Sequence, residues 1–302
     1  MISYQHIRNE RQWRASTGLT QKQFELLTAY FEETYLFVNE RSINQIDNNL
    51  AMERILHTYA DCLFFVLFQL KNALTYDSLG LLIQTDASNG QRIFEKYLHL
   101  LELTLERKHI MPKRNFTTVA EFEAYLKNDT DIILDVSEQP IQRPANGQAQ
   151  KAAYSGKKKR HTCKELIMSN KKRKILYISP FYVGHEHDYS LLKAEFPSHH
   201  KWFAKCRVRL DLGFQGFRDL YESESVQIPH KRKRVKKGES NELSDEQKAY
   251  NKSVSSERIV VEHSIGGMKR YRILGHVNRL KVTRLTNSLL GVCAALWNFT
   301  IA

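Results

Sequence analysis

The sequence contains little that would support a zinc module, a disulfide framework or an exported protein. Its four cysteines, Cys62, Cys163, Cys206 and Cys293, are scattered along 302 residues and form no Cys-x-x-Cys pair. Zinc fingers and zinc ribbons need closely spaced ligands, so neither is expected. Because the chain shows no secretory signal, we expect reduced thiols in a cytoplasm.

Long apolar runs and glycine-rich loops are also missing. The longest apolar stretch, residues 59–70, contains Asp61 and Gln69 and is too short to span a bilayer, so it predicts a buried helix. The chain has no basic amphipathic helix of the kind that binds membrane surfaces. It also has no glycine-rich loop of the kind that forms a phosphate-binding P-loop. We therefore expect no membrane partner.

What the chain has in excess is positive charge. Its 46 Lys and Arg residues against 33 Asp and Glu residues give a net charge of +13. Two runs concentrate this charge: Lys157, Lys158, Lys159 and Arg160, then Lys231, Arg232, Lys233, Arg234, Lys236 and Lys237. A single run is explained by a solvated surface, whereas a large excess gathered in runs favours a nucleic-acid partner. We predict that both runs contact DNA phosphates, which set affinity without base specificity.

Three carboxylates lie in patterns that predict their place in the fold. Asp135 and Asp211 each follow an apolar run, so each acid is expected at the tip of a buried strand. Glu262 lies in the segment 243–270, which predicts a long helix. Carboxylates are hard oxygen ligands that suit Mg²⁺ or Mn²⁺. Acidic metal ligands on a basic chain indicate metal-dependent phosphodiester chemistry on nucleic acid.

The first third of the chain predicts helices, and the remainder predicts a sheet with helices. Helical periodicity covers 20–37, with Thr20 as a cap, and then 50–71, 75–83 and 87–103. Strands are predicted at 131–136, 161–168, 174–183 and 206–211, with helices at 189–196, 243–270 and 284–301. We therefore expect an all-α DNA-binding domain over residues 1–125 and an α/β catalytic domain over residues 126–302.

Residues 75–103 are typical of a helix-turn-helix, since two helices flank a tight break at 84–86. The second helix carries Gln91 and Arg92 near its beginning, where side chains can contact base edges in a major groove. Gly90 lies inside this helix, where glycine costs about 1 kcal/mol relative to alanine. A helical hairpin within a bundle, with Gln91 and Arg92 solvated, is the alternative.

Five motifs follow one another along residues 131–275. They are Asp135–Pro144, Tyr154–Thr162, Gly184–Asp188, Asp211–Gly216 and Arg258–Lys269. In this order they resemble the catalytic domain of the insertion sequence 5 family of transposases, relatives of the Harbinger transposases in the DDE superfamily. The resemblance implies an RNase H-like fold, a mixed sheet with flanking helices. It also implies that Asp135, Asp211 and Glu262 form the catalytic triad and bind Mg²⁺ or Mn²⁺.

Further residues take their expected roles from this resemblance. Asp188 matches an additional acidic residue of the family, and it is either an accessory metal ligand or the N-cap of the helix after it. Arg258, Glu262 and Lys269 are spaced by four and seven, so they project from one side of a helix. Arg258 and Lys269 are predicted to contact DNA, although Arg258 and Glu262 could form a surface ion pair. Related transposases often have Tyr where this chain has Ser255.

The resemblance implies a DNA transposase that works by two-metal phosphoryl transfer. Hydrolysis would free a 3′-OH at the transposon end, and that 3′-OH would then attack target DNA. The expected partners are double-stranded DNA and a second copy of the chain, in a homodimer or larger synaptic complex on the nucleoid of a bacterial cytoplasm. A catalytically inactive DNA-binding derivative of a transposase is the alternative. A plain metal-dependent nuclease is a third, but it leaves the N-terminal DNA-binding candidate unexplained.

Overall fold

The computed structural model describes residues 2–47, 55–127, 129–232, 242–278 and 283–302. It divides into two compact units: unit 1 contains Met1–Met111 and Met268–Ala302, and unit 2 contains Pro112–Gly267. The predicted division into domains of residues 1–125 and 126–302 stays a prediction. The structural division differs from it because the C-terminal segment belongs to the same unit as the N-terminal helices.

The described elements follow in chain order. The helices are α1 (Glu10–Ser16), α2 (Gln21–Asn39), α3 (Ile43–Asp47), α4 (Tyr59–Asn72), α5 (Tyr76–Leu82), α6 (Ala87–Arg107), α7 (Val119–Leu126), α8 (Gly147–Ala153), α9 (Asp188–Glu195), α10 (Phe217–Leu220), α11 (Asp245–Met268) and α12 (Arg284–Ile301). The strands are β1 (Asp131–Pro140), β2 (Tyr154–Ser155), β3 (Arg160–Asn170), β4 (Ile175–Ile178), β5 (Tyr182–Val183), β6 (Arg207–Arg209) and β7 (Ser225–Gln227). Short 3₁₀ turns occupy Tyr4–His6, Leu212–Phe214 and Arg272–Leu274.

Side-chain caps decide where helices of unit 1 begin. Thr20 caps α2 as predicted, because its side chain accepts a hydrogen bond from the Gln23 backbone while the Gln23 side chain bonds back to Thr20. Helix α4 begins at Tyr59, later than the predicted residue 50, because Thr58 is its cap and accepts a hydrogen bond from the Asp61 backbone. Residues 48–54 lie outside the described residues.

Helices α5 and α6 meet through glycine. A Cβ added to Gly90 would lie 3.2 Å from the Gly80 Cα, and one added to Gly80 would lie 2.7 Å from the Thr85 carbonyl oxygen. The two backbones therefore approach as closely as glycine allows, which explains why α6 contains Gly90 despite its poor helix propensity. The predicted helix pair is present, but its function as a helix-turn-helix stays a prediction.

Helix α12 completes the core of unit 1. Its residues from Leu289 to Phe299 are buried on every side, and it packs against α6. The Asn298 side-chain amide donates to the Ile110 carbonyl oxygen at 3.3 Å, and the Gln23 amide donates to the Thr300 carbonyl oxygen at 3.3 Å. None of the helices in the described part of the chain is long and apolar enough to cross a membrane.

Unit 2 is built on a mixed sheet. Strand β1 pairs antiparallel with β3 and parallel with β6, and β6 pairs parallel with β7. Strands β2, β4 and β5 each pair antiparallel with β3. The predicted strand at 174–183 is two strands, β4 and β5, because Pro180 lies between them and lacks a backbone N–H for the sheet. The mixed α/β character predicted from the sequence is confirmed.

The side chains of β1 lie alternately on the two faces of this sheet. Ile132 and Leu134 belong to a buried aromatic and aliphatic core that also contains Phe122 of α7 and Leu191 of α9. Because successive strand residues point to opposite faces, Asp135 points away from that core. Helix α11 buries Val254, Arg258 and Val261, spaced by four and three, so one side of it packs into unit 2, to which it belongs.

Candidate active site

Two of the three predicted acids are brought to the same level of the sheet by its register. The last parallel pair between β1 and β6 joins Ile133 to Arg209, and Asp135 and Asp211 each lie two residues further along. Asp211 lies two residues beyond the end of β6, which is shorter than the predicted strand at 206–211. The expected strand end near residue 136 is wrong, since β1 continues to Pro140. The reason is that its second half stays paired with β3 after β6 has ended.

Arg258 of α11 joins the two aspartates. One terminal nitrogen, Nη2, donates to Asp135 Oδ2 at 3.1 Å, and the other, Nη1, donates to Asp211 Oδ1 at 3.1 Å. The arginine side chain is only 9% exposed, against 17% for Asp135 and 32% for Asp211. Backbone groups complete the arrangement: Val136 N–H donates to Asp135 Oδ1 at 2.8 Å, and Leu212 N–H donates to Asp211 Oδ1 at 2.7 Å. A single guanidinium thus lies between two carboxylates.

The electrostatics of this group depend on that guanidinium. Burial raises the pKa of Asp135 above its usual range, and the nearby Asp211 carboxylate adds to the increase. The charge and hydrogen bond of Arg258, together with the Val136 N–H, act in the opposite direction. Two carboxylates held close together and partly removed from water need a cation between them.

A second buried arginine anchors the same helix to the sheet. Arg209 donates through Nη1 to Asp131 of β1 and through Nε to Glu257 of α11. Lys171 also pairs with Asp131, at 2.9 Å. Adjacent residues of α11, Glu257 and Arg258, therefore both form ion pairs with the sheet region. These ion pairs were not predicted from the sequence, although the alternation of strand side chains puts Arg209 on the same face as Asp211.

Glu262 lies one helical turn beyond Arg258 and is exposed. Within the described ranges its carboxylate has no hydrogen-bond or ion-pair partner, and the alternative of a surface pair with Arg258 is therefore wrong. No group of three or more His, Cys, Asp or Glu side chains in the described chain is arranged to hold a metal ion. The structure thus brings Asp135 and Asp211 together without Glu262.

The donor chemistry nevertheless fits a hard divalent cation. Asp135 and Asp211 offer carboxylate oxygens, which are the ligands that Mg²⁺ and Mn²⁺ prefer. Asp211 Oδ2 has no hydrogen-bond partner among the described residues, so it is available to a ligand. The guanidinium already provides one positive charge at this position.

Asp188 is held by a buried lysine. It is the first residue of α9, and the N-cap is His187, so the predicted N-cap role of Asp188 is wrong. Its Oδ1 accepts a hydrogen bond from Lys164 Nζ at 2.9 Å, and the same ammonium donates to the Glu186 carbonyl oxygen at 2.7 Å. Lys164 lies three positions before Ile167, the β3 partner of Asp135, so Lys164 and Asp135 point to opposite faces of the sheet.

The predicted DNA-contacting residues of unit 2 differ in exposure. Strands β2 and β3 form a hairpin with four exposed cations, Lys157, Lys158 and Lys159 in its turn and Arg160 at the start of β3. Ser155 fixes this turn by accepting hydrogen bonds from the Lys158 and Lys159 backbone. Lys231 and Arg232 are also exposed, whereas Lys233 and Arg234 lie outside the described residues, as do Lys236 and Lys237.

The other candidates lie in unit 1. Arg92 is exposed near the beginning of α6 and donates to the Asn89 side-chain oxygen at 2.6 Å. Gln91 is partly exposed and donates to Glu95 at 2.7 Å. Lys269 follows α11 directly and is partly buried. On the same helix as Gln91 and Arg92, Phe94, Tyr97 and Leu98 are buried.

Comparison with known proteins connects this geometry to a family. The sequence profile described as DDE superfamily endonuclease matches residues 134–298, more than half of the chain, and includes the two aspartates, Arg258 and Glu262. A protein described as "Probable transposase for insertion sequence element IS702", from Microchaete diplosiphon, is 31% identical over 173 residues. The match covers 57% of this chain and 57% of that relative, so the chain spans little more than half the length of the relative. No solved structure matches the chain.

Proposed function

This chain belongs to the DDE superfamily endonucleases, and we propose that it is a DNA transposase. It would cut the ends of a mobile element and join them to target DNA, and its catalytic part would have the RNase H-like architecture. One observation carries the proposal: Asp135 and Asp211, from neighbouring parallel strands, meet at one cation of α11, the helix that also carries Glu262. The transposase-like relative supports the same function.

Asp135, Asp211 and Glu262 would hold the divalent metal, Mg²⁺ or Mn²⁺. When bound, such ions supply Lewis-acid stabilisation of phosphate oxygens and lower the pKa of a water molecule. Glu262 is exposed and has no described partner, so its carboxylate is available for this role. Asp188 is a weaker candidate, because Lys164 already binds its carboxylate.

The reaction needs no protein nucleophile and no ATP. Hydrolysis of a phosphodiester at the element's end forms a P–O bond to water and breaks the bond to the 3′ oxygen, which leaves as a 3′-OH. That 3′-OH then attacks a target phosphodiester and releases a new 3′-OH, so the number of phosphodiester bonds is unchanged in this step. The protein's contribution is to position the two DNA segments and to stabilise the charge on the phosphate.

Binding of DNA is divided between the two units in this proposal. In unit 2, the exposed cations of the β2–β3 hairpin, with Lys231 and Arg232, contact phosphates without base specificity. In unit 1, Gln91 and Arg92 of α6 contact base edges at the element's ends, and Lys269 contacts a phosphate. Two ends must be held at once, so a homodimer or larger complex on bacterial nucleoid DNA is the expected working form.

The test is cleavage of DNA that carries the ends of the parent element, in the presence of Mn²⁺. We expect wild-type protein to cut at the element's boundary, and Asp135→Asn, Asp211→Asn and Glu262→Gln to abolish cutting while DNA binding persists. Glu246→Gln is the matched control, because Glu246 is an exposed acid in the first turn of the same helix.

The results separate the candidate functions. Normal cutting by any of the three acid variants contradicts the site. Sequence-specific binding by a wild-type protein that never cuts supports the inactive derivative instead. Cutting without preference for the element's ends supports a plain metal-dependent nuclease.

A further inference from the structure

We infer that Arg258 is a resident counter-ion, which holds Asp135 and Asp211 together before a divalent cation binds and which competes with that cation for their oxygens. The inference rests on the proposed metal-dependent function, but it concerns side chains that are all described. It makes Arg258 a positioning residue whose role precedes any contact with DNA.

Both carboxylate oxygens of Asp135 already accept a hydrogen bond. Asp135 Oδ1 accepts from the Val136 backbone and Oδ2 accepts from Arg258, so both oxygens already have a donor. The Val136 N–H belongs to a paired strand and cannot move away alone. A cation that bridges the two aspartates must therefore either share Asp135 Oδ2 with Arg258 or displace the guanidinium from it.

The charges of the guanidinium and of a divalent cation also oppose simultaneous binding to the two aspartates. An ion sharing Asp135 Oδ2 with the guanidinium would lie next to another full positive charge in a largely buried position, which is strongly unfavourable. Without any cation, the two carboxylates would repel each other in the same position. The arrangement therefore favours one cation between the acids at a time, either Arg258 or a metal ion.

Arg258 is held by little else. Its Nε is buried and has no hydrogen-bond partner among the described residues, so its two described polar contacts are the two aspartates. Arg209 provides the contrast, because its Nε is bonded to Glu257 while Nη1 is bonded to Asp131. Once a metal ion takes the aspartates, Arg258 loses its described partners, and the guanidinium is released.

Calorimetric titration of Mn²⁺ into the full chain, with thermal unfolding in EDTA, tests this inference. Arg258→Gln should bind Mn²⁺ about tenfold more tightly than wild type, since no guanidinium has to be displaced. In EDTA the same variant should unfold at a lower temperature than wild type, because its two aspartates lack a counter-ion. Mn²⁺ should therefore raise its unfolding temperature by more than it raises that of wild type.

Arg209→Gln is the matched control. It removes an arginine that is equally buried, from the same edge of the sheet and the same helix contact, but one that does not touch Asp135 or Asp211. It should lower the unfolding temperature in EDTA and leave the affinity for Mn²⁺ as in wild type. Arg258→Lys, which keeps the charge, should restore part of the EDTA stability and bind Mn²⁺ less tightly than Arg258→Gln.

Several outcomes overturn the inference. They are an Mn²⁺ affinity of folded Arg258→Gln that is unchanged or weaker, equal tightening by Arg209→Gln, or no Mn²⁺ binding by any variant. If Arg258→Gln does not fold in EDTA, the Mn²⁺ affinity of Arg258→Lys is compared with that of wild type. Equal affinities then contradict competition between Arg258 and the metal ion. If wild type does not cut DNA but the Mn²⁺ affinities are as expected, the proposed function is contradicted and the counter-ion role is left intact.

Discussion

Buried cations of unit 2 each bind carboxylates from elements that are distant in sequence. Arg258 binds Asp135 and Asp211. Lys164, only 8% exposed, lies 2.9 Å from Asp188 and 3.7 Å from Glu138. Burying a charge is costly unless it is paired, and removing one partner leaves the other uncompensated. The same reasoning applies to Asp188, whose carboxylate pairs with Lys164.

We predict that Asp188→Asn mainly lowers stability. The change replaces the carboxylate that pairs with buried Lys164 by a neutral amide, so the ammonium loses a charged partner, and hydrogen bonds to charged groups contribute about 1.5–3 kcal/mol. Urea unfolding in EDTA should therefore show a loss of about 1–3 kcal/mol, while the affinity for Mn²⁺ in calorimetry stays that of wild type.

Glu222→Gln is the control for this prediction. Its partner Lys201 is 3.0 Å away, but both side chains are more than 60% exposed, so the loss of this pair should have little effect. If Asp188→Asn instead weakens Mn²⁺ binding and leaves unfolding unchanged, Asp188 is an accessory metal ligand after all.

At the scale of residues, the sequence predicts which side chains belong to the site better than it predicts which residues they contact. The strand-like runs before Asp135 and Asp211 predicted a position at strand tips, and the expectation that both acids share a site with Glu262 came from the family resemblance. The partners of Arg258 were not predictable, since they lie 47 and 123 residues away and depend on the register of β1 and β6. Local spacing suggested Glu262 as a partner for Arg258, but the burial of Arg258 among the aspartates prevailed over helical proximity.

At the scale of elements, periodicity predicts helices well and strand lengths less well. Helices α2, α9, α11 and α12 lie within a few residues of their predicted positions. Strand β1 is longer than predicted because the antiparallel partner β3 continues beside residues that are no longer strongly apolar. A strand paired on one side needs no apolar run, so sequence alone underestimates its length.

The β2–β3 hairpin is predicted to supply phosphate contacts. Changing Lys157, Lys158 and Lys159 to Gln should weaken DNA binding and reduce the slope of log affinity against log salt by about 0.9 for each lost contact. Fluorescence anisotropy with duplex DNA at several salt concentrations measures both quantities. Sequence preference should not change, because phosphate contacts carry no base information.

Lys201→Gln with Lys205→Gln is the matched control for the hairpin. Both lysines are exposed, but each is already paired, with Glu222 at 3.0 Å and Glu123 at 2.7 Å. Their removal should change the salt slope much less than the hairpin variant does. An unchanged slope for the hairpin variant would mean that its cations form only a solvated surface.

At the scale of the whole molecule, unit 1 is assembled from two separate parts of the chain. We predict that a fragment of residues 1–125 does not unfold cooperatively, because it lacks the buried side chains of α12 that pack on α6. Near-ultraviolet circular dichroism during heating tests this. Residues 1–111 joined to 268–302 by a flexible Gly-Ser linker should regain a cooperative transition.

A cooperative transition in the 1–125 fragment would contradict this prediction. If it holds, recognition of the element's ends must be studied with the full chain. Footprinting of wild type against Arg92→Ala and Gln91→Ala then compares folded proteins, and a footprint that these changes leave intact would place sequence recognition outside α6.

The position of α12 also sets an order of events on the ribosome. Helix α6 is translated long before α12, and at about 5–20 residues per second the interval is roughly 10–40 s. During that interval all of unit 2, which is one continuous segment, emerges and can fold. The core formed by the first helices to be made is therefore the last to be completed, and until then the apolar side of α6 that α12 covers is exposed to water.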